Sequence, residues 1–192
     1  MNKDALKLLK SETQKMLSGI VKSGKKDVFK NVGKTLDEFE KAGANLGLLF
    51  ELGKKTSDRK EFSILMIATF LWTFEGFYVC RLNLFCLLLI ENGHDLFDPI
   101  RRKYVCTLEE IGEVDLSTKL KFLSIHKFGA LQRKQDQRFR NRIAHHDFSL
   151  KEDGNILIDN QIVDVMSRLS DLYDFIHQIN LILLELWDKL FE

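Results

Sequence analysis

The stretch from Phe62 to Ile90, FSILMIATFLWTFEGFYVCRLNLFCLLLI, is a long and nearly continuous apolar segment. Its longest uncharged part, Phe62 to Phe74, has 13 residues, whereas about 20 apolar residues are needed to cross a bilayer. Glu75 and Arg81 interrupt the segment within the length that a membrane span would need. We therefore expect a central helix that is buried by its neighbours and not a membrane protein.

Helix signals surround this segment and extend through the rest of the chain. Thr56, Ser57 and Asp58 offer N-caps before it, and Asn92 with Gly93 forms a C-terminal signal after it. The 192 residues include only one proline and 11 glycines, which favours helices over a turn-rich β architecture. A hydrophobic fraction of 45% with a formal net charge of +1 excludes global disorder. The predicted fold class is all-α.

Residues 1–60 predict a basic, helical N-terminal extension, and residues 61–192 predict the second domain. The extension reads as an amphipathic helix over about residues 3–22 and a second helix over about 27–52, separated by Ser23 and Gly24. Its lysines favour a solvated outer face. A peripheral membrane role for residues 3–30 is the weaker alternative, because acidic residues interrupt the lysines and no large aromatic stripe accompanies them.

The second domain continues with shorter elements and ends in a long helix. Asp98 and Pro99 indicate a loop, followed by short helices over about 107–111 and 116–128, the latter capped by Asp115. Residues 148–150 and 156–158 predict a small hairpin. The final helix has a predicted buried stripe at positions 162, 165, 166, 169, 172, 176, 179 and 183.

The near-zero net charge conceals a strong polarity along the chain. Residues 119–146 carry eight Lys and Arg against one acid, whereas residues 147–192 carry three against ten. Within the basic zone, residues 137–148 read QRFRNRIAHHDF. On a helix, Arg138, Asn141, Arg142 and His145 would share one face, because they are spaced by three, four and seven residues. Asn141 precedes His145 by four residues, so its side chain is expected to hydrogen-bond one imidazole nitrogen and to leave the other positioned for proton transfer.

This segment resembles the HEPN superfamily, whose signature is an Arg, a polar residue that is often Asn, and a His after four to six intervening residues. Arg140, Asn141 and His145 match it, and a hairpin before the last helix also resembles HEPN-like chains. The register stays open, because Arg138 to His145 and Arg140 to His146 are permitted spacings too. An ideal helix would project Arg140 and His145 about 140° apart.

The resemblance implies a metal-independent endoribonuclease, acting in a prokaryotic toxin or defence setting. In that interpretation Arg140, Asn141 and His145 are catalytic, and Arg138, Arg142 and His146 bind the RNA substrate. Glu75 is the expected partner of either Arg81 or a motif arginine. HEPN ribonucleases usually act as dimers, so a homodimer is expected, with an antitoxin or another protein as a further partner.

The alternative is a non-catalytic HEPN-like module that binds RNA, nucleotides or another protein. We predict no cofactor and no metal, because neither His145 with His146 nor any Cys and His combination has a zinc-site spacing. His94, His126 and His177 are expected to be isolated surface or satisfied residues. Three free cysteines and the absence of a secretory signal in residues 1–15 favour a cytoplasmic location.

Overall fold

The computed structural model describes residues 3–25 and 27–191, and these are mostly helical. Together with two small antiparallel sheets, they confirm the predicted mainly-α class. The helices are α1 Lys3–Lys22, α2 Asp27–Lys55, α3 Arg59–Thr73, α4 Cys80–Glu91, α5 Leu108–Glu113, α6 Leu116–Ile125, α7 Lys134–Ala144 and α8 Val165–Phe191. The strands are β1 Leu96–Asp98, β2 Lys103–Val105, β3 Ser149–Leu150, β4 Ile156–Ile158 and β5 Gln161–Ile162.

The chain divides into two compact units, each assembled from separated segments. The first unit comprises Met1–Glu38, Val79–Gln132 and His177–Glu192, and the second comprises Phe39–Tyr78 and Arg133–Ile176. Neither unit begins or ends at residue 60. The division into residues 1–60 and 61–192 stays a prediction.

The long apolar segment is helical from α3 to α4, with an interruption that its sequence does not reveal. Asp58 caps α3 by accepting hydrogen bonds from the backbone N–H groups of Lys60 and Glu61, at 2.8 and 2.9 Å. A π-helical segment, Phe74–Val79, joins the two helices, and Asn92 ends α4 ahead of Gly93, whose φ is 90°.

By length and composition, the helical run from Arg59 to Glu91 could cross a membrane, since its best 18-residue window has a mean hydropathy of 1.5. In the structure, 44% of that window is buried. Core helices of soluble proteins can have the same length and composition, so these two features do not by themselves distinguish a membrane span from a core helix.

In the first unit, the loop predicted around Asp98 and Pro99 is a hairpin, with β1 and β2 paired antiparallel. Asp98 is fully buried and accepts a hydrogen bond from the backbone N–H of Ile100 at 2.9 Å. Helix α6 ends at Ile125, three residues before its predicted end, because Lys127 adopts a positive φ of 70°.

In the second unit, the predicted hairpin is present, and β5 extends it to three strands. Ile162 was expected on the buried stripe of the last helix, but it belongs to β5 and is 67% exposed. Met166 is also exposed, whereas Val165, Leu169 and Leu172 are buried as the stripe predicts. The helix begins only at Val165, after the turn that leaves β5.

The β3–β4 turn contacts the start of α3 closely. Gly154 has a φ of 83°, and a Cβ added there would lie 2.8 Å from both the Cβ and the carbonyl oxygen of Arg59. The hydroxyl of Ser63 donates a hydrogen bond to the Gly154 carbonyl at 2.6 Å. A glycine at this position lets the hairpin approach the helix.

Candidate active site

Helix α7 is fixed in the second unit by an apolar face. Phe139 and Ile143 are each only 3% exposed, and the Phe139 ring lies edge-on to that of Phe70, with centroids 4.7 Å apart. Burying these side chains leaves the opposite face of α7 in solvent, where Arg138, Asn141 and Arg142 are exposed.

The two adjacent histidines are separated by the way α7 ends. His145 is the C-cap, and His146 adopts the left-handed conformation with a φ of 59°. The backbone N–H of Asp147 donates to the Arg142 carbonyl at 2.8 Å, and that of His146 donates to the Ile143 carbonyl at 3.0 Å. This pair of bonds is a Schellman motif. It continues the α7 face through His145 and turns the backbone away at His146.

An open groove of about 1050 Å³ runs along the exposed face of α7 within the second unit. Arg138, Asn141, Arg142 and His145 all line it, as the helical spacing predicts. Strands β4 and β5 and the start of α8 supply the other walls, through residues that include Asp159, Ile162, Asp164, Ser167, Arg168 and Asp171. Neither Arg140 nor His146 is among the lining residues.

Arg138 and His145 are exposed in this groove. Within residues 3–25 and 27–191, no carboxylate lies within 4.0 Å of the Arg138 guanidinium, and no side-chain hydrogen bond engages the His145 ring. The hydrogen bond expected from Asn141 to His145 is not formed. The Asn141 Oδ1 instead accepts from Arg140 Nη1 at 3.3 Å.

Arg140 points to a different partner. Its Nε donates to Glu75 Oε1 at 2.5 Å, and the Glu75 side chain is 45% exposed. Of the two partners expected for Glu75, the structure therefore shows the motif arginine. Arg81 lies in the first unit, where its Nε donates to Asn180 Oδ1 at 2.6 Å. The burial of Arg81 lowers its pKa to about 10.

Arg142 lies in the groove but is engaged by two carboxylates. Its Nη2 is 2.9 Å from Asp159 Oδ2, and its Nη1 is 3.6 Å from Asp147 Oδ2. Among the described residues, the groove is lined by four arginines and five aspartates. The basic character of residues 119–146 is therefore offset in space by aspartates of the acidic segment that follows.

Sequence reasoning missed a buried acid with two arginine partners beside the motif. Asp136 is 3% exposed, and its Oδ2 lies 2.5 Å from Arg133 Nε while its Oδ1 lies 3.9 Å from Arg168 Nη1. Asp136 is the single acid in the basic zone. An isolated acid among many cations indicates an ion pair, but the second partner, Arg168, lies on α8 and could not be inferred from the local sequence.

The prediction that His94 and His126 are isolated is wrong, because their ring centroids are 4.1 Å apart in the first unit. They line a cleft of about 320 Å³ together with Glu12, Lys15, Asn92 and Lys127. Burial, and then the nearby His94, lower the pKa of His126 below 6.5. Loop residues after α4 and α6 bring the rings together, which the sequence separation conceals.

The cysteines are free thiols, and burial raises the pKa of Cys86 to about 12. Among residues 3–25 and 27–191, no group of three or more His, Cys, Asp or Glu side chains could hold a metal ion. The polar lining of the groove, among the described residues, consists of four arginines, one imidazole, three amides, one hydroxyl and five carboxylates. Comparison of the chain with protein-family models, with curated proteins and with solved structures gave no match in any of the three.

Proposed function

We propose that this protein is a metal-independent endoribonuclease of HEPN type, which cleaves RNA in the α7 groove. The observation that supports the proposal is that Arg138, Asn141 and His145 line one open groove. An arginine without a carboxylate partner and an accessible imidazole are the groups that phosphodiester transfer needs. The HEPN assignment itself rests on the motif.

His145 accepts the proton of a ribose 2′-hydroxyl in the proposed reaction. The 2′-oxygen forms a bond to the adjacent phosphorus as the bond from phosphorus to the 5′-oxygen breaks. The products are a 2′,3′-cyclic phosphate and a 5′-hydroxyl, whose oxygen takes a proton from a second acid. A histidine of a second copy in a homodimer supplies that acid, and Arg138 stabilises the negative charge that develops on the phosphoryl oxygens.

The proposal assigns the roles within the motif differently from the sequence-based prediction. Arg138, six intervening residues before His145, replaces Arg140 as the transition-state arginine in this proposal, because Glu75 holds Arg140 and Arg140 does not line the groove. Asn141 contacts the ribose or phosphate. Arg142 binds the RNA backbone only in competition with Asp147 and Asp159, and His146 has a backbone role.

The remaining expectations belong to the same proposal: RNA as substrate, a homodimer, an antitoxin or another protein as regulator in a toxin or defence setting, no cofactor, and a cytoplasmic location. The mechanism depends on the dimer, since the described lining of the groove contains one histidine, His145, in each chain. Light scattering of the purified chain should give about twice 22.4 kDa. A monomer at high micromolar concentration would remove the source of the second acid.

The central experiment incubates the full chain with single-stranded RNA in the presence of EDTA. Cleavage should persist, and the 5′ fragments should end in a 2′,3′-cyclic phosphate, because the proposed site uses no metal. Cleavage that requires an added divalent cation, or fragments with a 5′-phosphate, would contradict the mechanism.

A non-catalytic binding module is the second candidate, and the aspartates of the groove favour it. Five carboxylates among the described lining residues reduce the attraction of the groove for a polyanion. Such a module would bind a partner protein, or RNA or a nucleotide more weakly, without turnover. RNA affinity with no products after long incubation would support this function over the ribonuclease.

A further inference from the structure

The cluster around Asp136 consists of this buried acid and two arginines, and all three residues line the groove. The Asp136 carboxylate is nearly inaccessible, and it contacts Arg133 and Arg168 from opposite oxygens. Each guanidinium also lies over an aromatic ring. The Arg133 Cζ is 5.0 Å from the centroid of Phe175, and the Arg168 Cζ is 5.1 Å from that of Phe139.

These contacts use only part of what the guanidinium groups offer. A guanidinium has five N–H donors, and the Asp136 contacts involve one nitrogen of Arg133 and one of Arg168. The side chains of Arg133 and Arg168 remain 22% and 33% exposed, and both line the groove. Ring stacking and the buried acid limit their motion, so donors directed into the groove lose little freedom when an anion binds.

We propose that Arg133 and Arg168, oriented by the buried Asp136, form a phosphate-binding subsite in the α7 groove. Building on the proposed function, this subsite holds the RNA phosphate next to the one that Arg138 and His145 act on. The cluster has two cations against one carboxylate. It therefore keeps one positive charge for a phosphodiester, and Arg138 adds another in the same groove.

Two further aspartates near Arg168 set the strength of this subsite. Asp164 directly precedes α8 and Asp171 lies on α8, and both line the same groove. Asp164 accepts a hydrogen bond from the backbone N–H of Ser167 at 3.0 Å. Removing the Asp171 charge should strengthen phosphate binding, whereas removing the Asp136 charge should weaken it, because Asp136 contacts both arginines and, among the described residues, no ion pair joins Asp171 to either of them. Two equal changes in charge thus have opposite predicted effects.

The test measures affinity for two probes, inorganic phosphate and a single-stranded DNA hexamer that lacks the 2′-hydroxyl and is not cleaved. R168Q should weaken binding of the hexamer about tenfold, the loss expected for a hydrogen bond to a charged group. It should also reduce the slope of log affinity against log salt by about 0.7. K134Q is the matched control, since Lys134 is exposed and does not line the groove.

D136N and D171N supply the second comparison. D136N should lower and D171N should raise the affinity for the hexamer. R168K keeps the charge but loses the planar guanidinium fork, so it should bind the hexamer more weakly than the parent. This variant replaces D136N in the comparison if D136N does not fold. Binding of inorganic phosphate alone, with no effect of R168Q on the hexamer, would assign the subsite to a free phosphate and overturn the RNA subsite.

The outcomes separate this inference from the proposed function. If R168Q loses hexamer affinity while the parent cleaves no RNA, the subsite stands and the ribonuclease proposal fails. If the parent cleaves RNA and R168Q behaves like K134Q, the subsite fails and the ribonuclease proposal stands. Equal increases in affinity for D136N and D171N would also overturn the subsite, because they would show a response to net charge alone.

Discussion

Two pairs of histidines in this protein have opposite relations between sequence and space. His145 and His146 are neighbours in the chain, yet only His145 lines the groove. His94 and His126 are 32 positions apart, yet their rings lie in contact with centroids 4.1 Å apart. In the first pair, His146 itself is left-handed, and in the second pair the left-handed Lys127 directly follows His126.

The difference shows that the function of a histidine here is decided by how its helix ends. At α7, the Schellman motif leaves His145 on the helical face and assigns a backbone role to His146. At α6, His126 is the C-cap and its ring turns towards His94. Variants of residues that are close in sequence or in space test this difference, first at the histidines and arginines of α7 and then at His94 and His126.

The largest expected effect is the loss of ribonuclease activity in H145A. Removing a general acid or base reduces the rate by about 10² to 10⁴, whereas H146A should retain activity near that of the parent. Single-turnover cleavage of a labelled RNA in EDTA measures both. A stronger loss in H146A than in H145A would reverse the assignment, and unchanged circular dichroism in both variants is the control.

The next effect compares two arginines on α7. R138Q should reduce the cleavage rate at saturating RNA by about 10² or more, because its contact strengthens as charge develops on the phosphate. R140Q removes the same charge two residues away, but Arg140 contacts Glu75 and Asn141 and does not line the groove, so its loss of rate should be smaller. Equal losses of rate in the two variants would show that Arg140 reaches the substrate despite that pair.

A smaller effect concerns stability as a function of pH. The pKa of His126 is lowered in the folded protein, so the unfolded chain binds its proton first. The free energy of unfolding should therefore fall as the pH drops below about 6.5, and this contribution should be complete above that pH. Glu12, Lys15, Lys127 and His94 line the same cleft.

Urea unfolding between pH 5 and 8 measures this dependence, with H126Q as the comparison. The loss of stability below pH 6.5 should be smaller in H126Q than in the parent. NMR of the His126 ring protons gives the pKa directly. In H94Q the pKa of His126 should rise, since His94 lowers it through charge repulsion. An unchanged value would contradict the contact between the two rings.

The smallest effect is a gain in stability at His146. Glycine adopts a positive φ without a steric penalty, so H146G should stabilise the protein by about 0.5 to 1 kcal/mol. Thermal unfolding measures the gain. In the same variant, cleavage should stay near the parent level. A loss of stability would show that the His146 side chain makes a favourable contact.

The sequence predicted the site-bearing helix and its exposed face well, for a physical reason. Spacings of three, four and seven residues on α7 are local, and burial of Phe139 and Ile143 fixes which face remains in solvent. The partners of the arginines were less predictable: Glu75 was expected to pair with Arg81 or with a motif arginine, and the contact of Asp159 with Arg142 was not anticipated. Glu75 and Asp159 reach α7 from 65 residues before and 17 residues after their arginines, and no local pattern encodes such contacts.

Three further misses have local causes. The β1–β2 hairpin has strands of three residues, too short to show an alternating pattern. The π-helical segment lies in a run that is apolar on all sides, so an altered period leaves no trace in hydropathy. Strand β5 has two residues, one of them the exposed Ile162 that mimics the start of the next helix.

The close contact between Gly154 and Arg59 gives a criterion for finding relatives of this chain. A side chain at this position would meet backbone atoms of α3, so any protein that keeps the hairpin against that helix must keep a glycine there. The glycine follows His145 by nine positions in the chain. A sequence search could require both the arginine-to-histidine spacing of α7 and this glycine. Such a search would select chains that share the architecture even when their overall sequence identity is low.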